Sequence, residues 1–157
     1  MLSSPTSLSL ISLTWNCEGF SRNRYNLQKI IDEVSLSPSF IFLSEPWLHL
    51  ADSPLATDQL CSRYNFFLNS EDRHDDLLSL RTSRAHGGTM TMWKKELNPF
   101  VTILEPTSSR ILTIVLDKPG YPITIHKNIY LSTAGKETEF VQELALLEDK
   151  MYPDSTI

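Results

Sequence analysis

From Leu8 to Trp15 the chain reads Leu-Ser-Leu-Ile-Ser-Leu-Thr-Trp, an apolar, β-prone run that stops at the polar Asn16. Gly19 marks a turn, and Leu27, Ile30, Ile31 and Val34 then recur at i, i+3, i+4 and i+7, the spacing of a helix with one buried face. Ser37-Pro38 ends that helix. Phe40-Ile41-Phe42-Leu43 is apolar without a break, as expected of a short strand covered on both sheet faces, and Glu45-Pro46 closes it. Asp52–Leu60 fits a short helix or a loop, and Tyr64–Leu68 reads as another strand.

Asn69 to Gly88 is polar and charged apart from Leu77-Leu78, a surface excursion. Within it, His74-Asp75-Asp76 reads as solvated loop and not as a metal cluster, because neighbouring residues on a strand face opposite ways. Four β-like runs follow: Thr89–Trp93, Phe100–Leu104, Ile111–Leu116 and Ile123–Leu131. Pro119-Gly120 between the last two suits the central positions of a type II turn, so they are expected to form an antiparallel hairpin. Lys136–Met151 is the clearest helix, with Phe140, Leu144, Leu147 and Met151 on one stripe that reads as core. Tyr152-Pro153 closes it.

The first two strands are joined through a helix, and such a crossover brings both strand ends to one edge of a sheet. Asn16 and Glu45, with Glu18 nearby, then meet in one crevice. Oxygen donors of that kind suit a divalent cation such as Mg2+ shared between protein and phosphate. Each residue also has a plainer reading: Asn16 as a turn or cap residue, Glu45 and Glu18 as solvated carboxylates, Tyr130 as a core aromatic with its hydroxyl at the rim.

Composition narrows the field. At 157 residues and 41% hydrophobic content the chain has the length and apolar content of one globular domain. A net charge of −5 argues against nucleic-acid binding by bulk cationic attraction, though not against a local basic rim. Arg84, His86 and Lys94 are the candidates for such a rim, set against ordinary surface charge. Two cysteines, Cys17 and Cys61, make neither a disulfide framework nor a zinc spacing. Cys17 is expected to be a small buried hydrophobe. No run approaches the ~20 apolar residues of a membrane span, and no basic residue precedes the first apolar stretch as a signal peptide requires. A nuclear or cytoplasmic protein, not a secreted one, is the expectation.

The order of Trp15-Asn16, Leu43-Ser44-Glu45-Pro46-Trp47, Gly87-Gly88 leading a strand, and Asn128-Ile129-Tyr130-Leu131 before a long helix resembles the endonuclease/exonuclease/phosphatase superfamily. Within it the likeness is to the apurinic-type endonuclease domain of LINE-like (non-LTR) retrotransposons, and it runs from about Leu8 to Ile157. The resemblance implies an α/β sandwich of two mixed sheets face to face with helices outside. It implies a single domain over residues 1–157 lacking its C-terminal portion, with an incomplete second sheet and an exposed strand edge. Asn16 matches the family's phosphate-contacting Asn, Glu45 its metal-binding Glu, and Glu18 stands where apurinic endonucleases carry a metal-supporting Asp. Tyr130 matches the Tyr of Asn-x-Tyr-x-Pro, which bonds a phosphate oxygen. Ser44 and Ser132 replace the usual Gln and Pro.

The chemistry implied is Mg2+-dependent phosphodiester hydrolysis, with Mn2+ as a substitute, on a DNA target strand. A downstream reverse transcriptase is the implied partner. The family's general-base segments, Gly-Asp-x-Asn and a late Asp-His pair, have no counterpart before Ile157, and His86 and His126 stand in the wrong order to replace them. Three functions remain open: a retroelement endonuclease, a decayed non-catalytic derivative, and a phosphatase of inositol phosphates or phospholipids. The Glu-Pro-Trp motif favours the first. Fold alone does not separate the first from the third.

Overall fold

The apolar run after Pro38 lies at the centre of a four-stranded sheet. The computed structural model describes residues 10–33, 37–54, 60, 62–70 and 87–131. Expectations for Cys61, for the 71–86 excursion with Arg84 and His86, and for the 136–151 helix lie outside these residues. Strand β1 (Ser12–Asn16) leads through helix α1 (Phe20–Glu33) to β2 (Phe40–Ser44); β3 (Tyr64–Asn69) and β4 (Thr89–Lys94) follow. Their order is β1-β2-β4-β3. The β1–β2 pair is parallel and sets Asn16 beside Ser44, while β4 runs antiparallel between β2 and β3.

A six-residue 3-10 segment, Lys95–Phe100, then leads into β5 (Val101–Ser108), β6 (Ile111–Leu116) and β7 (Thr124–Ile129), a second sheet of order β5-β6-β7. Its described strands all pair antiparallel, so the expectation of two mixed sheets holds for the first alone. The β6–β7 turn is the expected one: Gly120 has φ +84° and the Tyr121 N–H donates to Lys118 O (3.1 Å), the positive φ that type II demands at its third position.

Two apolar layers result from the period-two alternation of strand side chains. Ile41, Leu43, Met90, Met92, Tyr64 and Leu68 pack with Leu27 and Ile31 of α1 on the outer face of the first sheet. Ile30, which the helical spacing put on the buried face, is 38% exposed. The alternate residues Phe40, Phe42 and Trp93 pack with Leu97, Ile114 and Leu116 between the sheets.

Towards one end this inter-sheet layer turns polar. Asn69, expected at the start of the surface excursion, is fully buried at the end of β3. Its Nδ2 donates to Ser108 O (2.7 Å) and Ile111 O (3.2 Å) of the β5–β6 turn. Thr89 Oγ1 donates to Ser109 O (3.3 Å). Asn128 of β7 reaches back to β2 and β4, its Nδ2 donating to Leu43 O and Met90 O at 3.0 Å each and to Thr91 Oγ1 at 3.4 Å. Buried amides need partners, and here the partners belong to the opposite sheet. On the outer face of the second sheet Leu104, Ile125 and Ile129 are exposed.

Candidate functional site

The parallel β1–β2 register ends level, at Asn16 and Ser44, and both chains turn there. Cys17 N–H continues the ladder to Ser44 O (3.0 Å). After it, the chain segments lock around each other. Gly19 N–H donates to Glu45 O (2.9 Å) and Phe20 N–H to Pro46 O (2.8 Å), which supplies acceptors to first-turn N–H groups of α1 that have none within the helix. From the other side Glu45 N–H donates to Gly88 O (3.1 Å) and Trp47 N–H to Gly87 O (3.4 Å). The Glu45-Pro46-Trp47 loop is thus wedged between the helix start and the glycine pair before β4.

That wedge requires unusual backbone. Among the described residues, Glu18 (φ 42°), Glu45 (φ 54°) and Trp47 (φ 50°) are the non-glycine residues with positive φ, a conformation in which Cβ crowds the backbone. Such strain persists only where the surroundings impose it. Gly88, at φ +82°, has no room for a side chain: a Cβ would stand 3.0 Å from Asn69 O.

The structure brings Asn16 and Glu45 together. Asn16 Nδ2 donates to Glu45 Oε1 at 3.4 Å, and Asn16 Oδ1 accepts from the Glu18 N–H at 3.4 Å. Both contacts are at the long end of the hydrogen-bond range, so the carboxamide is oriented and the carboxylate is held loosely. Glu18 enters through its backbone, and its side chain is exposed.

Tyr130 approaches from the second sheet. On β7 the ring of His126 stacks over Phe40 (4.8 Å) and Phe42 (5.9 Å), and Asn128 lies over Leu43. These inward residues climb β2 in order, which carries Tyr130, the next inward position, towards the edge holding Glu45. Its N–H donates to Arg110 O (2.9 Å) in the β5–β6 turn that Asn69 and Thr89 anchor. Lys94 is not part of this gathering. It ends β4 at the opposite extremity, one residue past the Trp93–Phe40 pair, with its N–H on Ser39 O.

Cys17 is buried as expected, its Sγ donating to Ser44 O (3.4 Å) and Glu45 O (3.5 Å). Burial pushes the thiol up to about 12, two backbone N–H groups oppose the shift, and the charge of Glu45 adds to it. With the Cys17 thiol buried against two carbonyls, the side chains that Asn16 and Glu45 bring together at this edge offer oxygen donors. Among the described residues no group of three or more His, Cys, Asp and Glu gathers. Oxygen donors such as those of Asn16 and Glu45 are of the kind that suits a hard cation. Asn69 and Arg110 were not singled out from sequence as parts of this edge, and Asn128, the Asn of the Asn-x-Tyr motif, was given no role of its own there; the burial of an Asn amide against a facing sheet leaves no mark on a single chain.

No protein-family model matches the sequence, and no curated protein matches it. Solved structures do match in fold. The AP endonuclease LMAP from Leishmania major superposes with a TM-score of 0.56 at 18% identity, over 90% of this chain and 44% of its own. A variant of the 3′ phosphatase NExo from Neisseria, bound to product DNA hairpin, gives 0.58 at 14% identity over 91% and 53%. The 3′-5′ exonuclease NExo from Neisseria meningitidis gives 0.58 at 14% over 89% and 52%. The chain thus has the two-sheet α/β sandwich fold of these nucleases and spans about half their length.

Proposed function

We propose that this chain carries part of a divalent-metal-dependent, DNA-cleaving phosphodiesterase site, of the kind found in retroelement endonucleases that nick a target strand for a reverse transcriptase. The contact between Asn16 and Glu45 at level ends of adjacent parallel strands carries the reading. The fold shared with an AP endonuclease and with a 3′ phosphatase bound to product DNA supports it. Glu45, assisted by Glu18, would hold Mg2+ or Mn2+, which when bound supplies Lewis acidity at a phosphate oxygen and steadies a departing alkoxide. Asn16 presents its carboxamide N–H to a phosphate oxygen, with Glu18 N–H fixing the orientation. The Tyr130 hydroxyl donates to the same phosphate from the facing sheet. Donors preset in this way stabilise charge that develops in the transition state without having to reorganise.

The test is Mn2+ titration followed by NMR line broadening, which detects weak binding. Selective loss of the Glu45, Asn16 and Gly88 signals, abolished in Glu45→Gln, is expected. Broadening spread over surface carboxylates and unchanged by Glu45→Gln would end the proposal.

A further inference from the structure

The two candidate donors to phosphate, Asn16 and Tyr130, stand on different sheets. Their spacing is therefore a property of how the sheets dock, and apolar packing alone fixes such docking loosely, since it is non-directional. To the apolar layer of Phe40, Phe42, Ile114 and Leu116, and to the His126 ring stacked on Phe40 and Phe42, Asn128 adds directional hydrogen bonds. It is 5% exposed, and its Nδ2 donates to Leu43 O, Met90 O and Thr91 Oγ1. Leu43 lies two residues before Glu45, Met90 two residues after Gly88, and Glu45 N–H donates to Gly88 O. One amide thus grips both strands of the first sheet that carry the Glu45 loop. Two residues further along β7 is Tyr130.

We infer that Asn128 is a positioning residue: its amide bonds to Leu43 and Met90 set the distance between Tyr130 and the Asn16–Glu45 pair. It touches no substrate. Its effect passes through β7, which is held at its far side by the Tyr130 N–H bond to Arg110 O. Asn69 and Thr89 tether that turn to the first sheet but do not contact β2 in their bonds to it, so Asn128 alone of the three links Tyr130's strand to Glu45's. The inference rests on the proposed metal and phosphate reading for its consequence, not for its geometry.

The experiment compares the full chain with Asn128→Ala, with the milder Asn128→Ser in case the first does not fold, and with Ile114→Ala as a control that weakens the same layer without touching the amide. Mn2+ broadening of the Tyr130 ring is measured relative to that of the Glu45 amide. In the parent chain both broaden. Asn128→Ala or Asn128→Ser is expected to keep the effect at Glu45 and to lower it several-fold at Tyr130, while Ile114→Ala leaves the ratio alone. An unchanged ratio in the Asn128 variants, a ratio shifted equally by Ile114→Ala, or a parent Tyr130 ring untouched while Glu45 broadens would each overturn the inference. If Mn2+ has no effect at Glu45 in the parent chain, the metal reading fails separately. Amide exchange of the metal-free protein then decides the role of Asn128. Selective loss of protection at Glu45 and Tyr130 in the Asn128 variants upholds it, and uniform loss along all strands refutes it.

Discussion

At the scale of single residues, the site edge is where the chain accepts backbone strain. Glu45 is left-handed although it is not glycine, and both its N–H and its carbonyl are committed, to Gly88 O and Gly19 N–H. A carboxylate at such a position has a function-for-stability cost that can be measured. Glycine relaxes the strain but loses more entropy on folding, so Glu45→Gly is expected to stabilise the chain by a net ~0.5–1 kcal/mol while removing the Mn2+ effect. Urea unfolding checks the first half. A lower midpoint for Glu45→Gly than for the parent would show that side-chain contacts of Glu45, its 3.4 Å bond from Asn16 included, outweigh the strain. Cys17 shows the complementary case of a residue at the site edge without chemistry: its thiol is pushed up to about 12 and spends its proton on two carbonyls.

At the scale of elements, β7 carries a group that makes the fold sensitive to acid. His126 is stacked on Phe40 and Phe42 inside the sandwich, its Nε2 paired with Thr124 Oγ1 (3.1 Å), and burial lowers its pKa from the ordinary 6.5. The folded ring therefore resists a proton that the unfolded chain accepts. Below about pH 6.5 the unfolded state binds more protons, so stability, complete above that pH, falls as pH drops and levels off below the folded pKa. Asp32, held below its ordinary 3.8 by Gln28 and then Arg63, titrates lower and leaves this window clear. His126→Phe is expected to flatten the decline in urea midpoint between about pH 7 and pH 5; an equal slope in parent and variant would remove His126 from the account. The strand itself was legible in sequence, as were β2, β4 and β6, because each is an apolar or alternating run bounded by Gly, Pro or a charge. The 3-10 segment Lys95–Phe100 was not, since Lys-Glu-Leu-Asn-Pro has no periodic face and only Leu97 is buried. Nor was the burial of Asn69 and Asn128. Asn favours turns by local chemistry, and only the facing sheet supplies the acceptors that reverse that preference. The level meeting of Asn16 and Glu45 was legible because a strand–helix–strand unit has one handedness and one register edge; the left-handed loop that holds Glu45 was not, because no glycine marks it.

At the scale of the molecule, fold and chemistry separate. Two sheets laced by Asn69 and Asn128 place Asn16 and Glu45 in contact and carry Tyr130 towards them. In the proposed reading these groups bind and orient a phosphate, and none of them is a base for the attacking water. Of the described histidines, His126 stacks on Phe40 and Phe42 of β2, and His49 precedes the short 3-10 turn Leu50–Asp52. A single general base contributes about 10²–10⁴-fold to such a reaction. The 157-residue chain is accordingly expected to leave supercoiled plasmid intact in Mg2+ while still showing the Mn2+ effect at Glu45. Plasmid nicking that disappears in Glu45→Ala would reverse this expectation and mean that the residues at this edge, with solvent as the base, suffice for turnover. Retained binding without cleavage would instead mark this part of the sandwich as the phosphate-holding portion of the site, with proton transfer left to groups outside it.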